Sequence, residues 1–263
     1  MKIVVTVKQV PDTNAEKTFD AATNRLNRST IENVLNPFDE YAIEEALRVK
    51  EALGGDTTVT ILTMAPESGR EVVRKALAMG ADSAALLSDP VIGGSDSMAT
   101  AYALSQALRK IGFDLVMTGT QSTDAICSIV PAAIAEHLGL PCLTFAKKVT
   151  VADGKIEVHR ETDNGYLRVS APLPALVSVT KSANEPRYPS LKGIMGAKKK
   201  EIAALTLSDI AADAGRLGDA GSRTRVVSIA AVGARPKGTV VTATDASQGA
   251  HAIFDFLVGK KVI

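Results

Sequence analysis

The chain alternates between short runs rich in apolar residues and longer stretches in which apolar positions recur every three to four residues. Residues 2–9 form a continuous Val/Ile-rich run, the pattern of a strand buried on both faces, as in a parallel sheet covered by helices. Similar runs recur at 57–64, 84–87 and 114–118. Between the first two, Ala42, Ile43, Ala46, Leu47, Val49 and Leu53 fall on one helical stripe that Gly54-Gly55 terminates. Val72, Val73, Ala76 and Leu77 repeat that stripe before Gly80. Asn36-Pro37 is a natural helix start, because Asn can accept from the free amides and proline costs nothing at the first helical position. Further helices are expected over 95–111, capped by Ser95 or Asp96, and over 125–138. Strand and helix in alternation give βαβ units, so the expected class is α/β, with a doubly wound, mostly parallel, Rossmann-like sheet.

The pattern changes after Lys147. Residues 149–151, 156–159 and 166–169 are short alternating segments separated by Asp153-Gly154 and Asn164-Gly165, which predicts a β-hairpin appendage. Residues 176–179 return as a sheet strand. From 205 to 244 the chain is rich in Ala, Gly, Ser and Arg with weak periodicity, the character of an extended arm lying on something else. A closing helix places Ile253, Phe254, Leu257 and Val258 at helical spacing before Lys260-Lys261. The expected division is therefore an α/β domain over 1–204, hairpin region included, and an arm with closing helix over 205–263.

Composition narrows the function classes. The 263 residues, 46% hydrophobic, suffice for one large core. Thirty basic against 29 acidic side chains leave a net charge of +1, which supplies no field for nucleic acid or an anionic membrane. No apolar run approaches the roughly 20 residues needed to span a bilayer, and Ile3–Val7 is too short and β-branched for a secretion signal. A cytoplasmic location is expected, with no membrane insertion and no nucleic-acid partner. Cys127 and Cys142 have neither metal-ligand spacing nor further cysteine partners, so neither a zinc site nor a disulfide scaffold is expected.

The common nucleotide fingerprints are missing: no G-x-G-x-x-G follows the first strand and no G-x-x-x-x-G-K-[ST] occurs. Gly93-Gly94-Ser95-Asp96-Ser97 echoes the loop of ATP pyrophosphatases but follows a later strand than in those proteins, and its polar-then-apolar pattern reads as a tight turn with a helix cap. Residues 114–135 are more informative. A buried strand ends at Gly119 and a polar Ser122-Thr123-Asp124 turn opens onto a helix; free amides and the positive helix end suit a phosphate there, although an ordinary capped helix has the same pattern. His137, His159 and His251 have no nucleophile at a suggestive spacing. Asp39-Glu40 and Glu44-Glu45 are accounted for as favourable charges in a helix dipole. The residues so far describe an α/β nucleotide-binding protein with an arm, either a partner-dependent subunit or a free-standing enzyme or sensor that uses 184–200 as a lid.

The segment Asn184-Glu185-Pro186-Arg187-Tyr188-Pro189-Ser190-Leu191-Lys192-Gly193-Ile194-Met195-Gly196-Ala197-Lys198-Lys199-Lys200 resembles the recognition loop of electron-transfer flavoprotein beta subunits. The resemblance extends to Val7-Lys8-Gln9-Val10-Pro11-Asp12-Thr13, to Asn36-Pro37-Phe38-Asp39-Glu40, to Ala76-Leu77-Ala78-Met79-Gly80-Ala81-Asp82 and, in part, to residues 158–178, where Asn164 and Leu167 depart from the family's pattern. It implies an electron carrier rather than an enzyme. The partners would be a larger alpha subunit, which holds most of a FAD in a heterodimer, acyl-CoA and related dehydrogenases as donors, and a quinone oxidoreductase or other acceptor. Tyr188, Pro189, Ser190, Leu191, Lys192, Gly193, Ile194 and Met195 would form the partner-binding loop, with Leu191 as its apolar anchor. Leu191 reads equally as a core leucine closing the loop, and Lys198-Lys199-Lys200 as a solvated charge run.

The resemblance also implies an adenine nucleotide in this subunit: AMP in ordinary carriers, a second FAD in electron-bifurcating members that oxidise NADH. Carried over by motif, its contacts would be Thr6, Asn36, Pro37, Phe38, Asp39, Met64 and the run Asp124-Ala125-Ile126-Cys127-Ser128-Ile129-Val130-Pro131-Ala132-Ala133-Ile134-Ala135. Bifurcating members carry a second acidic residue and polar Thr/Gln positions where this chain has Ile126, Ser128 and Ile129. Each polar group left unmet would cost on the order of 1–3 kcal/mol, so AMP is the expected ligand. Val7–Thr13 and the Gly93-Gly94 turn still resemble bifurcating members, which keeps the second-FAD reading open.

Overall fold

Helices cover both faces of a nine-stranded sheet in the computed structural model, which describes residues 1–230, 233, 235 and 237–263. In chain order the elements are β1 (Lys2–Val7), β2 (Gln9–Pro11), β3 (Phe19–Asp20), β4 (Arg25–Leu26), β5 (Asn33–Leu35), α1 (Pro37–Leu53), β6 (Thr58–Met64), α2 (Arg70–Met79), β7 (Ser83–Leu87), α3 (Ser97–Ile111) and β8 (Leu115–Gly119). They continue with α4 (Val130–Leu138), β9 (Cys142–Ala152), β10 (Lys155–Thr162), β11 (Gly165–Pro172), β12 (Ala175–Val179), α5 (Leu191–Lys199), β13 (Ile202–Leu205), α6 (Gly218–Gly221) and α7 (Ala246–Gly259).

The sheet order is β11-β10-β9-β12-β8-β1-β6-β7-β13. Strands from β9 to β13 through the centre are parallel, and β10 and β11 extend one edge antiparallel. The hairpins expected as an appendage thus continue the main sheet. Period-2 geometry sends Ile3, Val5 and Val7 to a core shared with α1, α2 and α5, and Val4 to a second core shared with α3 and α4. Both faces being covered explains the continuous apolar runs.

The expected domain boundary moves. Residues 202–205 pair with β7, and Ile210 and Leu217 are buried in the second core, so the segment after 205 is part of the main body rather than an arm. Its burial rests on a few apolar side chains and specific hydrogen bonds, which composition hides. Two compact units result, Met1–Val227 and Ser228–Ile263. Within the second, α7 carries Asp245 as its N-cap and has no buried residue; positions 231, 232, 234 and 236 of the expected arm lie outside the described residues.

Candidate functional site

From β1 the chain moves outward through β6 and β7, then returns to β8 on the other side of β1. That reversal opens a crevice at the carboxyl ends of β1 and β8, where open α/β sheets bind ligands. The start of α1 and the 120–129 loop meet at this point. Gly119 makes the meeting possible, because a Cβ there would lie 2.8 Å from the Phe38 carbonyl carbon and collide with the Asp39 carboxylate.

Asn36 occupies the N-cap position of α1 and Pro37 its first turn, as expected, but the Asn36 side chain makes no cap hydrogen bond. Its amide instead donates to the Gln121 carbonyl at 2.9 Å and accepts from the Thr123 N–H at 3.2 Å. Asp39 is likewise more than a dipole charge. It is buried and accepts from the Lys8 N–H at 2.7 Å; burial pushes its carboxyl up to about 7. Lys8 then reaches across the crevice, its Nζ donating to Asp124 Oδ1 at 2.8 Å and to Ser122 Oγ at 3.3 Å. Arg28 pairs with the second Asp124 oxygen. Burial alone would raise the Asp124 pKa, yet Lys8 and the surrounding donors hold it down to about 2.

The two carboxylates give opposite pH dependences. Asp124, depressed on folding, contributes stability above its unfolded pKa near 4 and loses it as pH falls towards 2; Asp39, raised on folding, contributes stability that is lost as pH rises from about 4 to 7. Thermal midpoints across pH, compared with Asp124→Asn and Asp39→Asn, should show the wild-type advantage over the first variant shrinking in acid and that over the second shrinking towards neutrality. Parallel curves would contradict these roles.

The expected helix over 125–138 begins later, at Val130. Ile126 and Ser128 take φ of +53° each, which no helix accommodates, and Pro131 sits in the first turn. The expected nucleotide segment therefore divides. Asp124, Ala125, Ile126, Cys127, Ser128 and Ile129 form a loop, Val130, Pro131 and Ala132 the first helical turn, while Ala133, Ile134 and Ala135 are buried in the second core. Thr6 is buried in β1 and Met64 ends β6 half-buried, both at the carboxyl edge of the sheet.

This arrangement fits a phosphate. No side chain caps α4, so its first amides remain available, and the step from Ser128 (φ +53°) to Ile129 (φ −94°) is the alternation that turns successive N–H groups inward. Lys8 and Arg28 set two positive charges against the one on Asp124. The Thr123 hydroxyl is buried with no hydrogen-bond partner among the described residues. The Gly93-Gly94 turn is different: Asp96 caps α3 through the Met98 and Ala99 amides with one oxygen and accepts from Arg223 and Thr224 with the other. That helix terminus is already satisfied by the chain's own carboxylate.

The 184–200 segment is bolted to α1. Asn184 donates to the Tyr41 carbonyl and to Glu45, both at 3.0 Å. Arg187 binds Glu44 at 2.7 Å and Glu51 at 2.6 Å, and these carboxylates hold its guanidinium in the charged form. Glu44 and Glu45, read in the sequence as helix-dipole charges, are thus the anchors. Beyond Pro189 the expected loop is a helix: Ser190 caps α5 by accepting from the Gly193 N–H at 3.0 Å. Gly193 lets α5 approach α2 so closely that a Cβ would overlap the Ala78 carbonyl, and Arg74 donates to the Ala197 and Lys200 carbonyls at the other end. The result is a rigid platform on which Tyr188 is 92%, Leu191 82% and Met195 69% exposed. Leu191 is no core residue.

Of the histidines, His159 stacks on Tyr166 and His137 meets the Tyr102 ring edge-on. Among the described residues no group of three or more His, Cys, Asp or Glu is placed to hold a metal, and no helix is long and apolar enough to cross a membrane.

Comparison with known proteins adds an independent line. Residues 23–210 match the family model described as electron transfer flavoprotein domain. The chain is 44% identical, over 99% of each chain, to the electron transfer flavoprotein subunit beta of Mycobacterium tuberculosis (strain ATCC 25618 / H37Rv), and 40% identical over the full length of both to that of Megasphaera elsdenii. It is 36% identical, again over both full lengths, to the caffeyl-CoA reductase-Etf complex subunit CarD of Acetobacterium woodii.

Proposed function

The chain belongs to the electron-transfer flavoprotein family as a beta subunit, and from that premise we propose that it binds AMP at the β1/β8 crevice and docks acyl-CoA and related dehydrogenases through α5. The family role is electron carriage, with an alpha subunit as the implied partner. FAD, held mainly by that subunit, would supply the redox chemistry between a dehydrogenase and a quinone oxidoreductase or other acceptor. This chain's part is to bind and to present.

One observation carries the AMP reading: the 120–129 loop, held by Asn36 and Lys8, offers one phosphate-sized set of amides and cations. The exposed Ile126 and Ile129 beside it give no polar partner to a second phosphate or an isoalloxazine ring. The turn that resembles bifurcating members is closed by Asp96, which supports a monophosphate over a second FAD. The test is co-expression with the alpha subunit, denaturation and chromatography of the released nucleotides. One FAD and one AMP per heterodimer are expected; two FAD without AMP would overturn the assignment.

The docking reading rests on the exposure of Tyr188, Leu191 and Met195 on a segment held to α1 by Arg187 and capped by Ser190. Large apolar side chains clustered on a rigid surface mark a partner site.

A further inference from the structure

Beside the exposed cluster lie two hollows that share Pro189 and Lys75 in their walls. One, of about 440 Å³, lies between α2 and α5; the other, of about 320 Å³, runs back along the start of α1. The larger has an apolar floor of Ala78, Pro189 and Ile194 and a rim of Arg74, Lys75 and Lys198, with no acidic residue in its lining. Lys75 pairs with Glu40 at 2.5 Å. Arg74 donates from Nη1 to the Ala197 and Lys200 carbonyls at the carboxyl end of α5 and has no carboxylate in ion-pair range among the described residues, and Lys198 is exposed and likewise without an acidic partner among them.

Resting on the docking reading above, we infer that this groove receives an apolar side chain flanked by a carboxylate, presented by the same dehydrogenase that Leu191 anchors. The interface is then reciprocal, a leucine given and an apolar group taken within one footprint. Charge complementarity selects the occupant: an apolar floor rimmed by two cations that have no carboxylate partner attracts an acidic amphipathic surface and repels a basic one. The groove is open and shallow, so a small amphipathic anion arriving alone would gain little. A protein side chain held beside it by the Leu191 contact arrives at high effective concentration. Pro189 and Ile194 belong to the anchor's own segment, so the two contacts cannot be engaged by unrelated surfaces.

The experiment uses the intact heterodimer and an acyl-CoA dehydrogenase, reading the dehydrogenase concentration that gives half-maximal flavin reduction, with dithionite reduction as a partner-independent control. Lys198→Glu should raise that concentration about tenfold at low salt, with the difference from wild type shrinking as salt rises. Ile194→Ala should raise it about fivefold at every salt concentration. If Leu191→Ala weakens docking while both groove variants match wild type, the groove inference falls and the docking reading stands; if Leu191→Ala is also without effect, the docking reading falls and the inference with it. Decanoate serves as the small-anion probe. Saturable binding of decanoate to the heterodimer alone, lost in Ile194→Ala, would assign the groove to a small amphipathic anion and overturn the protein occupant.

Discussion

Leu191→Ala should reduce the affinity of the heterodimer for its dehydrogenase about thirtyfold, roughly 2 kcal/mol, while leaving flavin content and fold unchanged. Leu191 is the first residue of α5 and 82% exposed, so truncation removes little intramolecular packing. Its backbone position is set elsewhere, by Arg187 on Glu44 and Glu51, by the Ser190 cap and by the Gly193 approach to α2, none of which the substitution touches. Loss therefore reads out contact with the partner. Stopped-flow flavin reduction by the dehydrogenase, set against dithionite, separates the two possibilities. An unaltered dehydrogenase rate would remove Leu191 as the anchor, and loss of FAD would assign it a structural role.

Deleting Ser228–Ile263 should abolish heterodimer formation altogether. The 14 residues of α7 bury none of their side chains and expose Ile253, Phe254, Phe256 and Val258. An isolated helix of that length is marginal in water, and most helical stability comes from packing an apolar face. A covering surface is required, and the alpha subunit is its proposed source. Residues up to Val227 have their own core, so the truncated chain should retain its secondary structure while failing to co-purify with the alpha subunit. A truncated chain that still assembles into a flavin-loaded heterodimer would refute the role of this segment.

The central sheet and α1, α2 and α3 were legible because apolar periodicity is local and both sheet faces are buried. What escaped was set by contacts remote in sequence. The start of α4 is not legible locally because Ile126 and Ser128 adopt left-handed backbone in a loop held by Asn36, 85 residues before Gln121. Helix α5 reads as a loop in the sequence because Pro186, Pro189 and Gly193 look like breakers, whereas Gly193 serves a close helix crossing and Ser190 supplies the cap. Strand β13 is the four-residue run Ile202–Leu205, too short and alanine-rich to announce itself. Glu44 and Glu45 looked like ordinary dipole charges; their partners Arg187 and Asn184 lie 143 and 139 residues further on. The segment's motif implies docking, and the geometry adds that its Asn and Arg fasten it to α1 while Tyr188, Leu191 and Met195 are exposed.

The most direct test of the account is the visible spectrum of flavin in two samples, the chain alone and the chain co-expressed with its alpha subunit, before and after mixing with a dehydrogenase and its acyl-CoA substrate. The account predicts no flavin band in the isolated chain, and in the heterodimer a band that bleaches on mixing and recovers when a quinone oxidoreductase or other acceptor is supplied. Stoichiometric flavin and substrate turnover by the isolated chain would contradict it.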